Sequence, residues 1–234
     1  MRSLSLLILL FGSIVYGQKK DAHLWTGLGL DMDITKKISV DFETQSRFDQ
    51  NASKLNQLYF ELGSSYKVIK GVKLGFIYRY ARKNSGDYFF NQNRFCLDLS
   101  YRYRLDFGIT IKTRARYQHA FDRFSIVNEI YPNKKNLYRQ SFKISYLNKD
   151  FKLISPFIGT EFFYALQPKN PYSSLDTYRL KAGFVLDLPK RHSVKVFYTF
   201  EHEHRSVDNL SHIYGVQYNY SFKALYKKKS KSKT

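Results

Sequence analysis

The fold is decided by the stretch Val72-Lys73-Leu74-Gly75-Phe76-Ile77-Tyr78-Arg79-Tyr80. Its even-numbered residues are all apolar or aromatic, and most of its odd-numbered residues are polar or small. Successive side chains of a β-strand point to opposite faces, so this period of two predicts a strand with one apolar face and one polar face. No segment shows a convincing apolar stripe at helical spacing. An all-β fold is therefore predicted.

The same alternation recurs along the whole chain, for example from Phe95 to Tyr103 and from Tyr214 to Phe222. Most of the alternating segments are about 11 to 14 residues long, against about 5 to 6 for a typical globular strand. A tilted strand needs roughly 9 to 11 residues to cross a bilayer. Strands are predicted at residues 22–34, 38–48, 55–68, 72–82, 92–104, 107–119, 136–147, 152–164, 176–188, 192–204 and 210–223.

The connections between these segments alternate between short and long. Short ones lie near residues 35–37, 69–71, 105–106, 148–150 and 189–191, and longer polar ones near 49–54, 83–91, 120–135, 165–175 and 205–209. Short periplasmic turns and longer extracellular loops are typical of an antiparallel transmembrane β-barrel. Bacterial single-chain barrels have an even number of strands. We therefore predict a barrel of about 10 to 12 strands, with ten or twelve favoured over the eleven segments counted.

The first residues indicate export. Arg2 provides a short positive region, an apolar run follows from Leu4 to Val15, and the small residues Val15 and Gly17 suit a cleavage site. This pattern predicts a secretory signal peptide at residues 1–17. The barrel domain is then expected at residues 18–223, followed by a basic disordered tail at 224–234. The predicted location is the cell outer membrane.

The formal net charge of +20 points to anionic partners. An exported protein meets no nucleic acid in its normal compartment, so we expect outer-membrane lipid, lipopolysaccharide and small anionic solutes instead. Cys96 is the single cysteine, which excludes an intrachain disulfide and a thiolate metal cluster. No cofactor is predicted.

Four stretches carry a resemblance to a known family. They are Leu24-Trp25-Thr26-Gly27-Leu28-Gly29-Leu30, Lys36-Lys37, Gln45-Ser46-Arg47-Phe48 and Tyr78-Arg79-Tyr80. The chain resembles the domain-of-unknown-function family 2490, a group of exported bacterial proteins predicted to be outer-membrane barrels. The resemblance implies the barrel fold and the barrel-insertion machinery as a partner, and it supplies no catalytic residues. Outer-membrane barrels commonly end on an aromatic residue, here Phe222, but twelve residues follow it.

If the apolar positions face lipid, basic residues occupy the opposite face and line the lumen. The predicted lumenal set is Arg79, Arg94, Arg102, Arg104, Lys112, Arg114, Arg116, Arg139, Arg179 and Lys181. Fewer acids share that face: Asp41, Glu43, Glu61, Asp98, Glu161, Asp187, Glu201 and Glu203. Two interpretations follow, a salt-bridged network that fills the barrel and a narrow, porin-like lumen selective for anions.

Three histidines form a candidate metal site. His202, His204 and His212 share one face by alternation, and a turn centred near Val207 would place His202 opposite His212. Imidazole is a common ligand of Zn²⁺ and Cu²⁺. Polar residues at the aqueous rim of a barrel are the alternative interpretation.

Two other classes of function remain open beside a non-enzymatic channel, binding barrel or structural envelope protein. An outer-membrane lipid-modifying enzyme would need a nucleophile and a base, for which His119 and Ser125 are candidates without a supporting motif. A soluble periplasmic lipocalin-like ligand-binding barrel would reverse the two faces, with apolar residues inside. No catalytic residue is predicted.

Overall fold

The computed structural model describes residues 21–86, 88–123, 134–147, 153–166, 174–204 and 209–226. These residues form the strands β1 (Asp21–Asp33), β2 (Ile38–Asp49), β3 (Lys54–Ile69), β4 (Val72–Asn84), β5 (Phe89–Arg104), β6 (Ile109–Arg123), β7 (Lys134–Tyr146), β8 (Ile154–Ala165), β9 (Leu175–Leu188), β10 (His192–Glu203) and β11 (Asn209–Ser221). A short 3₁₀ turn, Pro189–Arg191, joins β9 to β10. No helix within this described part of the chain is long and apolar enough to cross a membrane.

The strands form a closed barrel in which each pairs with its neighbours in sequence. Consecutive strands are antiparallel, whereas β1 and β11 close the barrel as a parallel pair that runs from Asp21 beside Ser211 to Asp31 beside Ser221. The predicted all-β barrel is confirmed, and every predicted strand end lies within four residues of an observed one. The preference for an even number was wrong: the described residues contain eleven strands, because the parallel pair removes the need for a twelfth.

The two ends of the barrel differ in their connections. The turn end carries the connections after β1, β3, β5, β7 and β9, and the loop end carries those after β2, β4, β6, β8 and β10. The tightest turn is Lys70-Gly71, where Gly71 has a φ of 87° and an added Cβ would lie 2.7 Å from the carbonyl oxygen of Arg102. With an odd number of strands, β1 begins at the loop end and β11 ends at the turn end.

The two faces of the sheet have opposite character. Outward-facing Leu62, Leu97 and Ile158 are 59%, 57% and 60% exposed, whereas inward-facing Tyr59 and Cys96 are each 1% exposed. The central part of the outer face therefore presents apolar side chains, as the lipid-facing band of a transmembrane barrel does. A lipocalin-like barrel would show the reverse arrangement, so that alternative is not supported.

Aromatic side chains mark both rims of the outer face. At the loop end the rings of Tyr138 and Tyr164 lie 6.1 Å apart, and at the turn end those of Tyr220 and Phe222 lie 4.9 Å apart. Amphipathic rings favour the boundary between hydrocarbon and water. These two rims suit a barrel that spans a bilayer with one rim at each interface.

A charge placed on the outer face at mid-strand should destabilise the barrel in lipid. Leu97 lies near the middle of β5, and we expect Leu97→Lys to lower the free energy of unfolding by about 2–4 kcal/mol, because lysine at the bilayer midplane loses its hydration. The measurement is urea unfolding in lipid vesicles. Phe107→Lys, on the β5–β6 turn, is the matched control and should cost at most about 1 kcal/mol. Equal, small effects at both positions would mean that the apolar face does not contact lipid.

Candidate functional site in the barrel lumen

Ion pairs between neighbouring strands cross the inner face of the barrel. Arg79 on β4 lies opposite Glu61 on β3 and donates from Nε to its Oε2 at 2.6 Å. Arg116 on β6 lies opposite Asp98 on β5 and donates to both of its carboxylate oxygens, at 2.6 and 2.7 Å. Both arginines are buried. Paired and hydrogen-bonded arginine can be kept inside a barrel, because the pair replaces the lost hydration.

Glu161 on β8 is the centre of the largest ion cluster. Its carboxylate accepts from Arg114 at 2.8 Å and from Arg139 at 2.9 Å, and Arg179 lies 3.8 Å away. Arg179 also donates from Nε to Glu201 on β10. Strands β6 to β10 are therefore joined across the lumen by charged side chains as well as by their backbone ladders.

Aromatic rings pack between these charges. The Cζ atoms of Arg47 and Arg79 lie 3.8 Å and 3.7 Å from the ring centroids of Trp25 and Tyr59, a cation–π distance. A buried apolar cluster of Trp25, Phe157, Phe197 and Ile213 lines the same interior. Side chains with essentially no accessible surface, such as Ile213 at 0% and Tyr59 at 1%, show that the middle of the lumen is filled by protein.

Four cations occupy one continuous line of paired positions. Arg102 lies opposite Lys112, Lys112 opposite Lys143, and Lys143 is joined through Gly159 to Lys181. We call Arg102, Lys112, Lys143 and Lys181 the basic row. Because the strands tilt, the basic row runs from the turn end of β5 to the middle of β9. Among the described residues, no carboxylate oxygen lies within 4.0 Å of a charged nitrogen of the row.

Aromatic rings contact the lysines instead. Lys143 Nζ lies 4.1 Å from the ring centroid of Phe157, and Lys181 Nζ lies 4.5 Å from that of Phe197. Lys195 Nζ lies 5.0 Å from the Phe197 centroid and donates to Gln217 at 3.4 Å. The charges of Lys195 and Arg102 both act on Lys143. Five cations thus share one region of the lumen.

Three carboxylates near the turn end lie on β1 and β2, and a fourth, Asp187, lies on β9. Asp31 and Asp33 on β1 and Asp41 on β2 are exposed, and Asp31 lies opposite Asp41. Asp33 accepts a hydrogen bond of 2.9 Å from Ser39 on β2. Like charges therefore adjoin on β1 and β2, whereas on β9 the carboxylate of Asp187 shares the lumenal face with Lys181.

All ten predicted lumenal residues lie on the inward-facing side of their strands. Five arginines, Arg79, Arg114, Arg116, Arg139 and Arg179, pair with carboxylates. Arg94 donates to Gln92 at 3.2 Å, Lys112 and Lys181 are partly buried, and Arg102 and Arg104 are exposed at the turn end.

The inward-facing aromatic residues were not predicted from the sequence. Alternation assigns apolar residues to the outer face, so Phe157, Phe197 and Tyr59 gave no signal of their own. A neighbouring glycine is the available clue: an added Cβ on Gly215 would lie 2.1 Å from the ring of Phe197, and Gly183 meets the same side chain. Apolar residues at polar positions next to a cross-strand glycine indicate a ring folded into the lumen.

Two of the three candidate metal ligands lie together, since the ring centroids of His202 and His204 are 4.2 Å apart, but His212 does not join them. The β10–β11 register places Phe200 opposite His212 and His202 opposite Leu210, so His202 does not face His212. His212 Nδ1 instead lies 2.7 Å from the hydroxyl of Tyr198 on the outer face. Within the described residues, no group of three or more His, Cys, Asp or Glu side chains could hold a metal ion.

The candidate catalytic pair is not assembled within the described residues. His119 lies on the outer face of β6, where its Nδ1 is 2.6 Å from Oδ1 of Asn136. Ser125 lies outside the described residues, as do residues 1–17 of the expected signal peptide and the tail beyond Tyr226. At the end of the barrel, the amide of Leu225 donates to the carbonyl of Asp33 at 3.0 Å, so the backbone follows β1 to that residue.

Comparison with one solved structure supports the fold. The β domain of the Bordetella autotransporter BrkA is similar over 79% of this chain and 82% of its own, with a TM-score of 0.54 and 15% sequence identity. The translocator domain of the autotransporter NalP from Neisseria meningitidis shares 10% identity over 73% of this chain and 70% of its own, with a TM-score of 0.47. No curated protein sequence matches the chain. The likeness to BrkA is one of fold alone.

The family model described as "Protein of unknown function (DUF2490)" matches residues 22–212, which is most of the described barrel. This match agrees with the resemblance carried by the Leu24–Leu30 stretch and the Tyr78-Arg79-Tyr80 motif. The chain is a transmembrane β-barrel protein and belongs to the DUF2490 family.

Proposed function

We propose that this protein is an outer-membrane binding barrel for small anionic solutes, with a lumen closed by its own side chains. The basic row carries the proposal. Like charges directly opposite each other on neighbouring strands destabilise a sheet, and the row places Arg102, Lys112 and Lys143 side by side on three strands. A bound anion would remove that repulsion.

The rest of the lumen supports a binding barrel over an open channel. The Glu161 cluster and the apolar cluster around Phe197 fill the middle of the barrel. The row itself stays accessible, since Lys112 and Lys143 are only partly buried and Arg102 is exposed at the turn end. A solute would therefore enter from the turn end and stop at the filled middle. Short turns face the periplasm in outer-membrane barrels, so this entrance would be periplasmic.

The proposed role is non-enzymatic, with lipopolysaccharide and lipid on the outside and the barrel-insertion machinery as the assembly partner. Its support is the distribution of functional groups: the inward-facing carboxylates Glu61 and Asp98 are held in ion pairs with arginines, and the imidazole of His119 faces outward against Asn136. A hydrolytic site needs a nucleophile and a base within hydrogen-bonding reach of each other.

Anions should stabilise the folded barrel, and loss of the row should abolish that response. Malonate, sulfate and pyrophosphate are titrated at constant ionic strength onto protein in detergent, and the unfolding midpoint is followed by heat-modifiable gel mobility. A ligand at a hundred times its Kd adds about 2.7 kcal/mol by linkage. We expect Lys112→Gln/Lys143→Gln to lose the response, and to be more stable than the parent without anion because the repulsion is gone.

The matched control is Lys190→Gln/Arg191→Gln, which removes two charges from the exposed turn outside the lumen. It should keep the full anion response. An undiminished response in the double lysine variant would contradict the assignment of the site. Planar-bilayer recordings test the closed lumen: stable conductance steps from the parent protein would contradict it.

A further inference from the structure

We propose that the ligand of the basic row carries a phosphate group, held by Lys143, Lys181 and Lys195 beside Phe157 and Phe197. This inference rests on the proposed function and names the chemistry of its solute. It applies to any phosphate-bearing species small enough to reach the lumen.

The two kinds of cation in the lumen have different tasks. Arginine presents a planar fork that matches a carboxylate, and Arg79, Arg116 and Arg139 already hold the carboxylates of the protein. The cations left over are chiefly lysines. An ammonium group is a compact point charge with three rotatable donors, and it binds phosphate without a preferred plane. Arginine would suit carboxylate and phosphate alike, so the choice of a phosphate ligand rests on the number of free donors and on the charge of the cluster.

The donors of these lysines are still available. Lys143 and Lys181 have an aromatic ring as their neighbour, and Lys195 adds one hydrogen bond of 3.4 Å to Gln217. Each ring stabilises its cation through the π face and accepts no conventional hydrogen bond from it. The three ammonium groups therefore retain donors for several oxygens of one ligand. A phosphate group offers those oxygens, whereas a single carboxylate has two.

The rings also fix where the ammonium groups lie. Phe157 on β8 and Phe197 on β10 are 5% and 4% exposed, and both lie opposite Gly183 on β9. Gly183 leaves room for Phe197, because an added Cβ would come within 2.8 Å of that side chain. Two buried rings thus have the ammonium groups of lysines from β7, β9 and β10 within 5.0 Å of their centroids.

The charge count favours a ligand with at least two negative charges. Lys143 lies near Lys195 and Arg102, and Lys181 lies near Lys195 and Arg179 and near the carboxylate of Glu161, which is already shared by Arg114 and Arg139. On β2, the carboxylate of Glu43 acts on Lys195 and keeps its charge while accepting from Tyr59 and Gln217, so it balances one of the five cations. A monovalent anion would leave most of this cluster unbalanced. Phosphate and its esters carry nearly two charges at neutral pH.

The test compares pyrophosphate with malonate and acetate by calorimetric titration of the full chain in detergent. We expect pyrophosphate to bind at least tenfold more tightly than malonate, and acetate to bind weakest. Lys181→Gln/Lys195→Gln should lose most of the pyrophosphate affinity, and Lys190→Gln/Arg191→Gln should keep it. Lys143→Arg/Lys195→Arg retains the charge and should keep most of the pyrophosphate affinity.

The outcomes separate the two proposals. Malonate binding as tightly as pyrophosphate, with both lost in the lysine variants, would overturn the phosphate assignment and leave the anion-binding function standing. No binding of any anion would overturn both. A further arm adds phosphatidate to nanodiscs: displacement of pyrophosphate identifies a lipid headgroup as the source of the phosphate, and no displacement identifies a free solute.

Discussion

Glu161→Gln is expected to lower the free energy of unfolding by about 3–5 kcal/mol, the cost of leaving buried charge unpaired. The substitution keeps the size of the side chain and removes the single negative charge on which Arg114 and Arg139 converge at 2.8 and 2.9 Å. Arg139 and Glu161 have side chains only 9% and 16% exposed, so water restores little of the lost interaction. Urea unfolding in lipid vesicles measures the effect.

Glu43→Gln is the control for this prediction. Glu43 also faces the lumen, but its oxygens accept from the neutral donors Tyr59 and Gln217. An amide replaces that arrangement at a cost of about 1 kcal/mol. If the two glutamine variants lost equal stability, the Glu161 cluster would have to be regarded as an ordinary hydrogen-bonded group that contributes nothing through its charge.

Trp25→Ala should cost about 3–5 kcal/mol, the range found when a large buried aromatic side chain is truncated. Trp25 lies on β1, which closes the barrel against β11, and its ring is 5% exposed. It contacts Phe197 edge to face at a centroid distance of 6.5 Å, and the guanidinium of Arg47 lies over it at 3.8 Å. Truncation therefore weakens the pairing of β1 with β11 from the lumenal side and leaves a cavity.

The effect of Trp25→Ala is read from the temperature at which the compact gel band disappears, because the variant has no tryptophan left for fluorescence. Leu28→Ala, three residues along β1, is the control: its side chain is 56% exposed on the outer face and fills no lumenal space. A loss at Leu28 as large as that at Trp25 would show that the lipid-facing side of β1, and not the lumenal cluster, secures the closure.

The strands were predictable because the signal for them is local. A period of two over a dozen residues fixes both the strand and its two faces, as the Val72–Tyr80 stretch illustrates. The count of strands was not fixed by that signal, since the rule of even numbers assumes that both termini lie at the same end. The register between β10 and β11 could not be predicted either. A small shift in register decides whether His212 lies opposite His202 or opposite Phe200.

The face of each strand that carries the candidate site was predictable from the sequence. The pairing of cations with carboxylates on that face was not. Parity put Arg79 and Lys181 on the same side as the acids, but which cation meets which carboxylate depends on register, and Glu161 gathers arginines from three strands. Nothing in the sequence spacing indicated that lysines would lie beside aromatic rings inside the barrel. That pattern arises because Phe157 and Phe197 break the alternation.

The parallel pair of β1 and β11 restricts how the chain can be rearranged. Many barrels can be circularly permuted by joining their first and last strands with a short turn, because those strands run in opposite directions. Here Asp21 begins at one end of the barrel and Ser221 finishes at the other. A peptide joining the two would have to traverse roughly 30 Å of hydrocarbon or the filled lumen. The β1–β11 pair is thus the one pair of neighbouring strands in this barrel that a hairpin turn cannot connect.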